Sequence, residues 1–453
     1  MYVNPNIFKA YDIRGSFPEE INAKAVYLIT RSYVEFLRGK THPGELAIVL
    51  GNDARSSSPE LKKAVLEGLL EEGVSVIDIG YSTSPFHYYT VIHSGADGGI
   101  MVTASHDPVR MNGLKFVKKG GAPLNLEERD VVKNIAGRSI FQGKTGKTGH
   151  VEEKNYYREY IDFLLEQVDL SKTKDLHVVI DAGGGMTTVL LPYLLKKLPC
   201  KTTIINGEVF FYHQTKMLDP SVERDLAEVK NAVIEQNASF GVAFDQDGDR
   251  VGFVTHNARF FRADYVAAFF AEEFLKRFQG AKMVYDVRSS SIFQETIVKN
   301  GGQALESRVG HSFIKELMKK EDAFFAAEHS GHFYFKSFYY LDSDFLPLLY
   351  FLQFFAEFGK SSDDLLARFE IYPSSGELSF KVSDTAHLLE KIAGEFPDAK
   401  ETKWIDGVSL YYDDWWANVR LSNTEPLVRL NVEARTSDIL QEKVDKIRKI
   451  LGS

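Results

Sequence analysis

The sequence predicts an α/β protein with three similar α/β units and a smaller C-terminal α+β domain. Strand-like apolar runs alternate with helical stretches along most of the chain. From about Tyr372 the pattern changes to β-rich segments with two amphipathic helices. With 453 residues, 44% of them hydrophobic, the chain is also too long for one compact core. We therefore expect four domains.

The first unit alternates strand, loop, helix and strand. Residues 46–50 and 74–79 are strand-like, and residues 58–72 between them are helical. This alternation predicts a βαβ unit. A polar stretch rich in Gly, Lys and Thr at 142–154 then interrupts the apolar periodicity, so we assign the first domain to residues 1–153.

The second unit repeats this plan and is assigned to residues 154–257. It has a strand at 176–181, a glycine turn at 183–185 and an apolar helix at 187–195. The repetition predicts a second domain of the same type.

The third unit is assigned to residues 258–371. It opens with an aromatic-rich helix near Asp264, passes a strand at 282–286 and closes with the apolar segment 345–358. That segment is too short to span a membrane.

The remaining residues, 372–453, form the predicted fourth domain. Its two amphipathic helices are expected at 385–396 and 437–451. With four domains in the chain, a cleft shared between domains is the expected active site.

The composition restricts the classes of partner. A net charge of −9 argues against a nucleic-acid-binding surface, so anionic ligands would need a local basic site. The single cysteine, Cys200, excludes an internal disulfide framework. Residues 1–13 lack the apolar core of a signal peptide. We expect a cytoplasmic protein without a nucleic-acid or membrane partner.

Residues 103–108, Thr-Ala-Ser-His-Asp-Pro, are the most informative motif. Residues 99–102 are typical of a buried strand that ends at these small and polar residues, which predicts an exposed Ser105 hydroxyl on a tight loop. A phosphoryl group on that hydroxyl would carry nearly two negative charges and would need cations or a metal beside it. Lys115 and His106 lie close by in the sequence.

Three carboxylates alternate in a glycine-containing loop between two strands. Asp245, Asp247 and Asp249 can point three oxygens at one position, a donor set that suits Mg²⁺. Carboxylates this close repel one another unless a cation lies between them. The loop therefore predicts a metal site.

Two later loops offer polar side chains. Residues 420–426, Arg-Leu-Ser-Asn-Thr-Glu-Pro, can grip a phosphate dianion, although a polar hairpin turn has the same composition. Residues 328–332, Glu-His-Ser-Gly-His, can contact sugar hydroxyls, and His332 can transfer a proton. A polar loop with hydrogen-bonded histidines is the alternative.

Basic residues also occur outside these four loops. Arg14 stands beside a glycine turn. Asp53 and Arg55 are favoured as a structural ion pair. The basic residues around His311 and Lys315 form either a ligand-binding cluster or a solvated loop.

Taken together, these loops resemble those of the α-D-phosphohexomutase superfamily, the phosphomannomutases, phosphoglucomutases and phosphoglucosamine mutases. The resemblance covers almost the whole chain, and the four motifs occur in the family's order, one per domain. It implies a heart-shaped arrangement of three similar α/β domains with mixed sheets and a fourth α+β domain. It also implies reversible interconversion of hexose 1- and 6-phosphates through a hexose 1,6-bisphosphate.

The resemblance implies that the resting enzyme carries phosphate on Ser105. Mg²⁺ would be bound by an oxygen of that phosphate together with Asp245, Asp247 and Asp249. The metal would withdraw charge from the phosphoryl group.

The resemblance further implies the roles of the other motif residues. Lys115, Arg14 and His332 would assist proton transfer and stabilise charge, with the separate acid and base roles left open. The expected substrate-binding residues are Glu328, Ser330, His311, Arg250, Arg288, Arg420, Ser422, Asn423 and Thr424.

Departures from the family pattern bear on the sugar. Arg288 stands where many relatives have lysine, which keeps the charge and changes the contact geometry. His329 occupies the variable place in the sugar loop, where phosphoglucosamine mutases typically have glutamine. Residues 333–336 also look more like a phosphomannomutase.

The resemblance thus favours a phosphomannomutase and leaves open whether it also uses glucose phosphates. Phosphoglucomutase and phosphoglucosamine mutase are the alternatives. A metal-dependent sugar phosphatase and a non-catalytic sugar-phosphate-binding protein are less favoured. Both a monomer and a homodimer are compatible with the sequence.

Overall fold

A computed structural model of the chain describes residues 3–9, 12–40, 45–138, 149–210, 217–382, 385–421 and 427–452. The chain separates into two compact units. The first unit comprises Met1–Phe260 and Ser337–Gly359, and the second comprises Phe261–Lys336 and Lys360–Ser453.

The first sheet of the first unit is mixed and has six strands. Its elements are β1 (Ile13–Ser16), α1 (Ala23–Lys40), β2 (Ala47–Asn52), α2 (Ser58–Glu71), β3 (Ser75–Tyr81), α3 (Ser84–His93), β4 (Gly98–Val102), β5 (Met111–Lys118), α4 (Leu126–Arg138) and β6 (Val151–Glu153). The strand order is β1-β5-β4-β2-β3-β6. Strands β3 and β4 are parallel to β2, and β5 is antiparallel to β4.

The second sheet of the first unit repeats this pattern. Its elements are α5 (Tyr157–Leu165), β7 (His177–Asp181), α6 (Thr187–Leu195), β8 (Lys201–Ile205), α7 (Ala227–Glu235), β9 (Phe240–Phe244), β10 (Val251–Thr255) and β11 (Phe260–Phe261). Strands β8 and β9 are parallel to β7, and β10 is antiparallel to β9.

The second unit begins with a third sheet of the same kind. Its elements are α8 (Ala263–Arg277), β12 (Lys282–Asp286), α9 (Ser291–Lys299), β13 (Gln303–Ser307), α10 (His311–Glu321), β14 (Phe325–Ala327) and β15 (Phe333–Phe335). Strands β13 and β14 are parallel to β12, and β15 is antiparallel to β14.

The chain returns to the first unit through β16 (Leu341–Asp342) and α11 (Phe345–Phe358). The Phe351 ring lies 4.7 Å from Phe240 and 4.8 Å from Phe253, on the second sheet. Residues 345–355 are all buried, which explains an apolar composition on every face of this helix. Although the segment falls within the predicted third domain, its aromatic side chains pack against β9 and β10.

The C-terminal part of the second unit has a different, antiparallel sheet. Its elements are α12 (Ser362–Leu366), β17 (Ser374–Phe380), α13 (Leu388–Gly394), β18 (Glu401–Lys403), β19 (Val408–Tyr411), β20 (Trp415–Leu421), β21 (Val428–Ala434) and α14 (Ser437–Leu451). The strand order is β17-β21-β20-β19-β18. Helices α13 and α14 cover its apolar face, where Ile392, Val419 and Ile447 are fully buried.

The repeated sheets explain where the sequence motifs lie. In each sheet a hairpin loop joins the third strand of the pattern to the antiparallel fourth: β4 to β5, β9 to β10 and β14 to β15. These three loops contain residues 103–108, 245–250 and 328–332 respectively. The three motifs therefore occupy equivalent loops of one repeated plan.

Three mixed α/β sheets and a C-terminal antiparallel sheet with helices confirm the predicted fold class. The predicted helix at 385–396 is shorter than expected, because His387 has a positive φ and the helix starts at Leu388. The domain boundaries stay a prediction. Among the described residues, no helix is long and apolar enough to cross a bilayer.

Candidate active site

Ser105 lies in the loop between β4 and β5 with a φ of 51°, in the left-handed region that non-glycine residues rarely adopt. Its Oγ donates a hydrogen bond to Asp245 Oδ2 at 3.0 Å and lies 3.1 Å from His106 Nδ1. The residue is only 2% exposed, so the predicted exposure of its hydroxyl is wrong. Residues from two sheets hold this hydroxyl.

Arg55 fixes the backbone of the Ser105 loop. It is paired with Asp53, and both side chains are buried, which confirms the predicted ion pair. Its guanidinium donates to the backbone carbonyls of Ser105, Asp107, Pro108 and Met111. Because one rigid group holds four carbonyls, the unusual backbone at Ser105 has support from outside the loop.

Arg14 reaches the same loop from β1. It donates to Asp12 at 2.7 Å and to the carbonyl of Ala104 at 3.3 Å, and it lies 3.1 Å from Asp107. Burial lowers the pKa of Arg14, but Asp12 and Asp107 more than offset this and hold the pKa above its ordinary value. Arg14 is a permanent positive charge beside Ser105.

The three aspartates of the 245–250 loop are brought together as predicted. One carboxylate oxygen from each lies within 4.8 Å of the others, and all three residues are buried. The turn uses Gly248 at a φ of 70°, where a Cβ would come within 2.9 Å of Thr83 and Thr187. Burial, followed by repulsion from the other two carboxylates, raises the pKa of Asp245 well above its usual range.

Lys115 supplies a positive charge to these carboxylates. Its Nζ lies 2.6 Å from Asp247 Oδ2 and 2.6 Å from Asp249 Oδ2, and it donates to Ser84 Oγ at 3.1 Å. Burial lowers the pKa of Lys115, but Asp247 and Asp249 raise it more, so the ammonium stays protonated. Lys115 thus contacts Asp247 and Asp249, whereas Ser105 contacts Asp245 of the same loop.

The donor set fits a divalent cation. The three carboxylates are buried and repel one another, which is one cause of the raised pKa of Asp245. Asp247 Oδ1 is buried and accepts no hydrogen bond from any described residue. Oxygen donors that converge in this way suit a hard divalent ion. The three aspartates can therefore hold a metal.

Arg250 lies at the end of this loop. Its backbone N–H donates to Asp245 Oδ1 at 3.2 Å, and its guanidinium lies 3.4 Å from Asp219. Burial, and then the charges of Arg250 and Arg14, hold the pKa of His106 below its ordinary value. A neutral imidazole therefore contacts the Ser105 hydroxyl.

In the second unit, Glu328 is the centre of the 328–332 loop. It is 2% exposed and accepts hydrogen bonds from the Gly310 N–H at 3.1 Å and from the Tyr334 hydroxyl. The other predicted members lie around it: His332 Nδ1 is 3.2 Å from Glu328 and 2.9 Å from Ser330 Oγ. Burial raises the pKa of Glu328, but His332 and other partners lower it well below its usual range.

The remaining histidines of this loop region have different surroundings. The His311 ring centroid is 6.4 Å from that of His332, so both predicted histidines belong to one cluster. His329 Nδ1 instead lies 3.6 Å from Asp264, and its backbone N–H donates to Asp286. The residue whose identity bears on the sugar therefore faces a buried carboxylate.

Arg288 and Arg420 come together in the second unit through a carboxylate that the sequence analysis missed. Arg288 is held by Asp286 at 2.7 Å and lies 3.6 Å from Glu377. Arg420 donates to Glu377 at 2.6 Å. A third arginine, Arg429, lies 3.8 Å from the same carboxylate.

Comparison with known proteins identifies the family. Profiles described as "Phosphoglucomutase/phosphomannomutase, alpha/beta/alpha domain" I, II and III match residues 5–142, 158–258 and 262–372. The profile for the C-terminal domain matches residues 377–450. The chain belongs to the phosphoglucomutase/phosphomannomutase family. The recognition made from the four loops is thus confirmed.

Relatives in this family span the whole chain. A phosphomannomutase from Escherichia coli is 35% identical over 455 residues, which is 98% of each chain. One from Methanocaldococcus jannaschii is 36% identical and covers 100% of this chain and 99% of its own. A solved phosphoglucomutase/phosphomannomutase family structure from Burkholderia thailandensis has a TM-score of 0.90, at 30% identity and 99% and 97% coverage.

The predicted site residues fall into two groups, one in each unit. Ser422, Asn423 and Thr424, between β20 and β21, lie outside the described residues. The first unit brings together Ser105, Lys115, Arg14, Arg250, Asp245, Asp247 and Asp249. The second unit brings together Glu328, Ser330, His332, His311, Arg288 and Arg420.

Sequence reasoning missed Ser84 and Glu377. Ser84 donates to Asp247 from the first turn of α3, although 163 residues separate the two positions. Glu377 is 43 residues from Arg420. Neither lies in a recognisable motif, so only the fold could reveal them.

Proposed function

We propose that this chain is a phosphomannomutase that interconverts mannose 1-phosphate and mannose 6-phosphate through phosphate carried on Ser105. The observation that supports this best is the Ser105 hydroxyl, held 3.0 Å from Asp245 beside three buried carboxylates and Lys115. A phosphoryl group on this oxygen would lie next to carboxylates that can hold a cation against it, and Arg14 contacts the same loop through Ala104 and Asp107. The names of the full-length relatives supply the sugar.

Mg²⁺ is the proposed metal. Asp245, Asp247 and Asp249 would hold it together with an oxygen of the phosphate on Ser105. When bound, the ion withdraws charge from the phosphoryl group and makes it a better electrophile. The three aspartates contribute because they are buried and already lie close together.

The first half-reaction transfers the phosphoryl group from Ser105 to the free hydroxyl of a hexose monophosphate. The P–Oγ bond breaks as a bond forms between phosphorus and the sugar oxygen. The sugar hydroxyl loses one proton and Ser105 Oγ gains one. The product is a hexose 1,6-bisphosphate and free Ser105. The second half-reaction is the reverse step with the sugar turned round, so the other phosphate returns to Ser105.

Positive groups stabilise the charge that moves in these steps. Lys115 faces Asp247 and Asp249 of the metal loop, and Arg14 contacts Asp107 of the Ser105 loop. Both are protonated, so we assign them electrostatic roles.

His332 is the proposed proton carrier. The Glu328 carboxylate at 3.2 Å favours the proton on Nδ1, so we propose Nε2 as the nitrogen that accepts the proton of the sugar hydroxyl. Glu328, Ser330 and His311 then contact the sugar, while Arg288, Arg420 and the 422–424 segment hold its existing phosphate. Arg250 contributes a further phosphate contact.

The remaining proposals concern the substrates, the compartment, the oligomeric state and the domain boundaries. The partners are hexose phosphates, with glucose phosphates as second substrates, and the protein acts in the cytoplasm as a monomer or homodimer. The domain boundaries at 153, 257 and 371 belong to this proposal.

The test is direct turnover. Mannose 1-phosphate, Mg²⁺ and a trace of hexose 1,6-bisphosphate are incubated with the protein and followed by ³¹P NMR. We expect mannose 6-phosphate without release of inorganic phosphate. Steady phosphate release that survives Ser105→Ala would indicate a phosphatase instead. Comparing kcat/KM for mannose, glucose and glucosamine 1-phosphates identifies the preferred sugar.

A further inference from the structure

Glu377 is the one carboxylate that contacts all three arginines of the second-unit cluster in the described part of the chain. Arg420 Nη2 lies 2.6 Å from Glu377 Oε2, and Arg288 Nη1 lies 3.6 Å from the same oxygen. Arg429 Nη1 lies 3.8 Å from Oε1. We call Glu377, Arg288, Arg420 and Arg429 the arginine cluster.

The fold fixes the members of the arginine cluster. Arg420 and Arg429 are direct partners across β20 and β21, and Glu377 on β17 is opposite the neighbouring β21 residue Asn431. Arg288 is held by two hydrogen bonds from its guanidinium to Asp286. The contacts are therefore set by strand register and by a turn rather than by mobile surface side chains.

Glu377 is the carboxylate next to Arg420. Arg288 has two further carboxylates beside it, Asp286 at 2.7 Å and Glu328 at 3.7 Å, whereas the ion pair of Arg420 is with Glu377 at 2.6 Å. Burial would raise the pKa of Glu377, but Arg288 and Arg420 lower it to about 2, so it is ionised at neutral pH. Arg420 Nε is buried and donates to no described residue. Arg420 thus has a donor left for an anion, while its charge is paired with Glu377.

We propose that Glu377 is an internal counter-ion that competes with the substrate's phosphate for Arg420 and so limits how tightly the phosphate is held. The inference rests on the proposed function, in which one phosphate of the bisphosphate must leave before the other takes its place. Without the carboxylate, the arginines would hold a dianion more tightly and release it more slowly. Glu377 is a positioning residue that acts through Arg420.

The binding test uses inorganic phosphate, which reports on the cluster without turnover. Glu377→Gln keeps the shape and an acceptor oxygen for Arg420 but removes the charge. Calorimetric titration in chelator without Mg²⁺ avoids anion binding at a metal. We expect the Kd for phosphate to fall about fivefold or more in E377Q. Glu377→Asp, which keeps the charge, should stay near the wild-type value.

Glu433→Gln is the matched control. Glu433 is a buried carboxylate on β21 whose hydrogen bonds come from the Ser291 N–H and the Trp416 indole, not from the arginine cluster. Its loss should leave the Kd for phosphate unchanged. If E377Q does not fold, Glu377→Ser removes the same charge and is expected to shift the Kd in the same direction.

Turnover separates this role from a structural one. With mannose 1-phosphate we expect E377Q to lower both KM and kcat, whereas mere disordering of Arg420 would raise KM. If E377Q binds phosphate as tightly as the wild type or more weakly, the counter-ion role of Glu377 is overturned. A wild-type protein that turns over no hexose phosphate, while E377Q still binds phosphate more tightly, overturns the proposed function and leaves the counter-ion standing.

Discussion

The Asp-x-Arg turns after β2 and β12 have the same local geometry and different tasks. In each, the aspartate accepts a hydrogen bond from the backbone N–H of the arginine two residues later, at 3.0 Å for Asp53 and 2.7 Å for Asp286. The arginine Nε then returns to the same carboxylate, at 3.1 and 3.2 Å. Beyond this turn, Arg55 donates only to backbone carbonyls among its described partners, whereas Arg288 lies near the carboxylates of Glu328 and Glu377.

The difference shows how one repeated plan supports two kinds of site. In the first unit the arginine is used to fix the loop that carries Ser105, and three aspartates beside that loop can hold a cation. In the second unit the arginine faces the carboxylates of Glu328 and Glu377, and Glu377 also contacts Arg420 and Arg429. The arginines there can hold an anion once they are released from these carboxylates.

The largest expected effect comes from removing the hydroxyl that we assign to phosphoryl transfer. Ser105→Ala should lower kcat for mannose 1-phosphate by about 10⁴-fold or more, because no other group replaces a lost nucleophile. Ser330→Ala removes a hydroxyl from the equivalent loop of the second unit. We expect it to change KM by about tenfold or less, since one hydrogen bond is lost. Coupled assays under identical conditions compare the two, and similar losses would remove the distinction between the loops.

The next effect concerns the cation demanded by the first unit. Asp247→Asn removes one of three charges, so the Kd for Mg²⁺ should rise about 10²-fold or more in calorimetry. Asp181→Asn is the control, because this buried carboxylate of the same unit accepts its hydrogen bonds from Gly183 and Asn206 and not from residues of the metal loop. Unchanged Mg²⁺ affinity in D247N would show that the metal lies elsewhere.

Lysine substitutions test the two arginines directly. A lysine cannot hold four carbonyls, so Arg55→Lys should lower kcat about 10- to 100-fold with little change in KM. Arg288→Lys keeps a charge near Glu377 and should raise KM about threefold with a smaller effect on kcat. Steady-state kinetics and thermal unfolding of both variants separate catalysis from stability. The same kinetic pattern in both would mean that the turns have one task.

A further expected effect is the pH dependence of stability, which should have opposite signs in the two units. Burial raises the pKa of Asp344 from 3.8 to about 6, although Tyr160 and Thr83 donate hydrogen bonds to it. The folded state therefore binds the proton more tightly, and up to about 3 kcal/mol of stability is lost as the pH rises through this interval. For Glu377, with a pKa of about 2, stability is instead lost as the pH falls below about 4.5.

Urea unfolding between about pH 4 and about pH 7 measures the Asp344 contribution. In Asp344→Asn the free energy of unfolding should fall less above about pH 5 than in the wild type, because no carboxylate then ionises in that position. If the free energy of unfolding of the wild type rises over this pH interval, by as much as that of D344N does, the raised pKa of Asp344 is contradicted.

The sequence predicted what is local. Ser105 and the three aspartates each lie within one loop, and the alternation of strands and helices carries enough information for the repeated sheets. The sequence could not predict that Asp245 covers the Ser105 hydroxyl, because 140 residues separate them. Ser84 and Glu377 were invisible for the same reason: each is an ordinary polar residue until the fold places it beside Lys115 or Arg420.

The most direct test of the central claim is where the phosphate resides. Wild-type protein is incubated with hexose 1,6-bisphosphate and Mg²⁺, digested and analysed by tandem mass spectrometry. We expect one phosphate, on Ser105, and none in Ser105→Ala. Mannose 1-phosphate turnover with no phosphate on Ser105, or with phosphate on another residue, would contradict the mechanism.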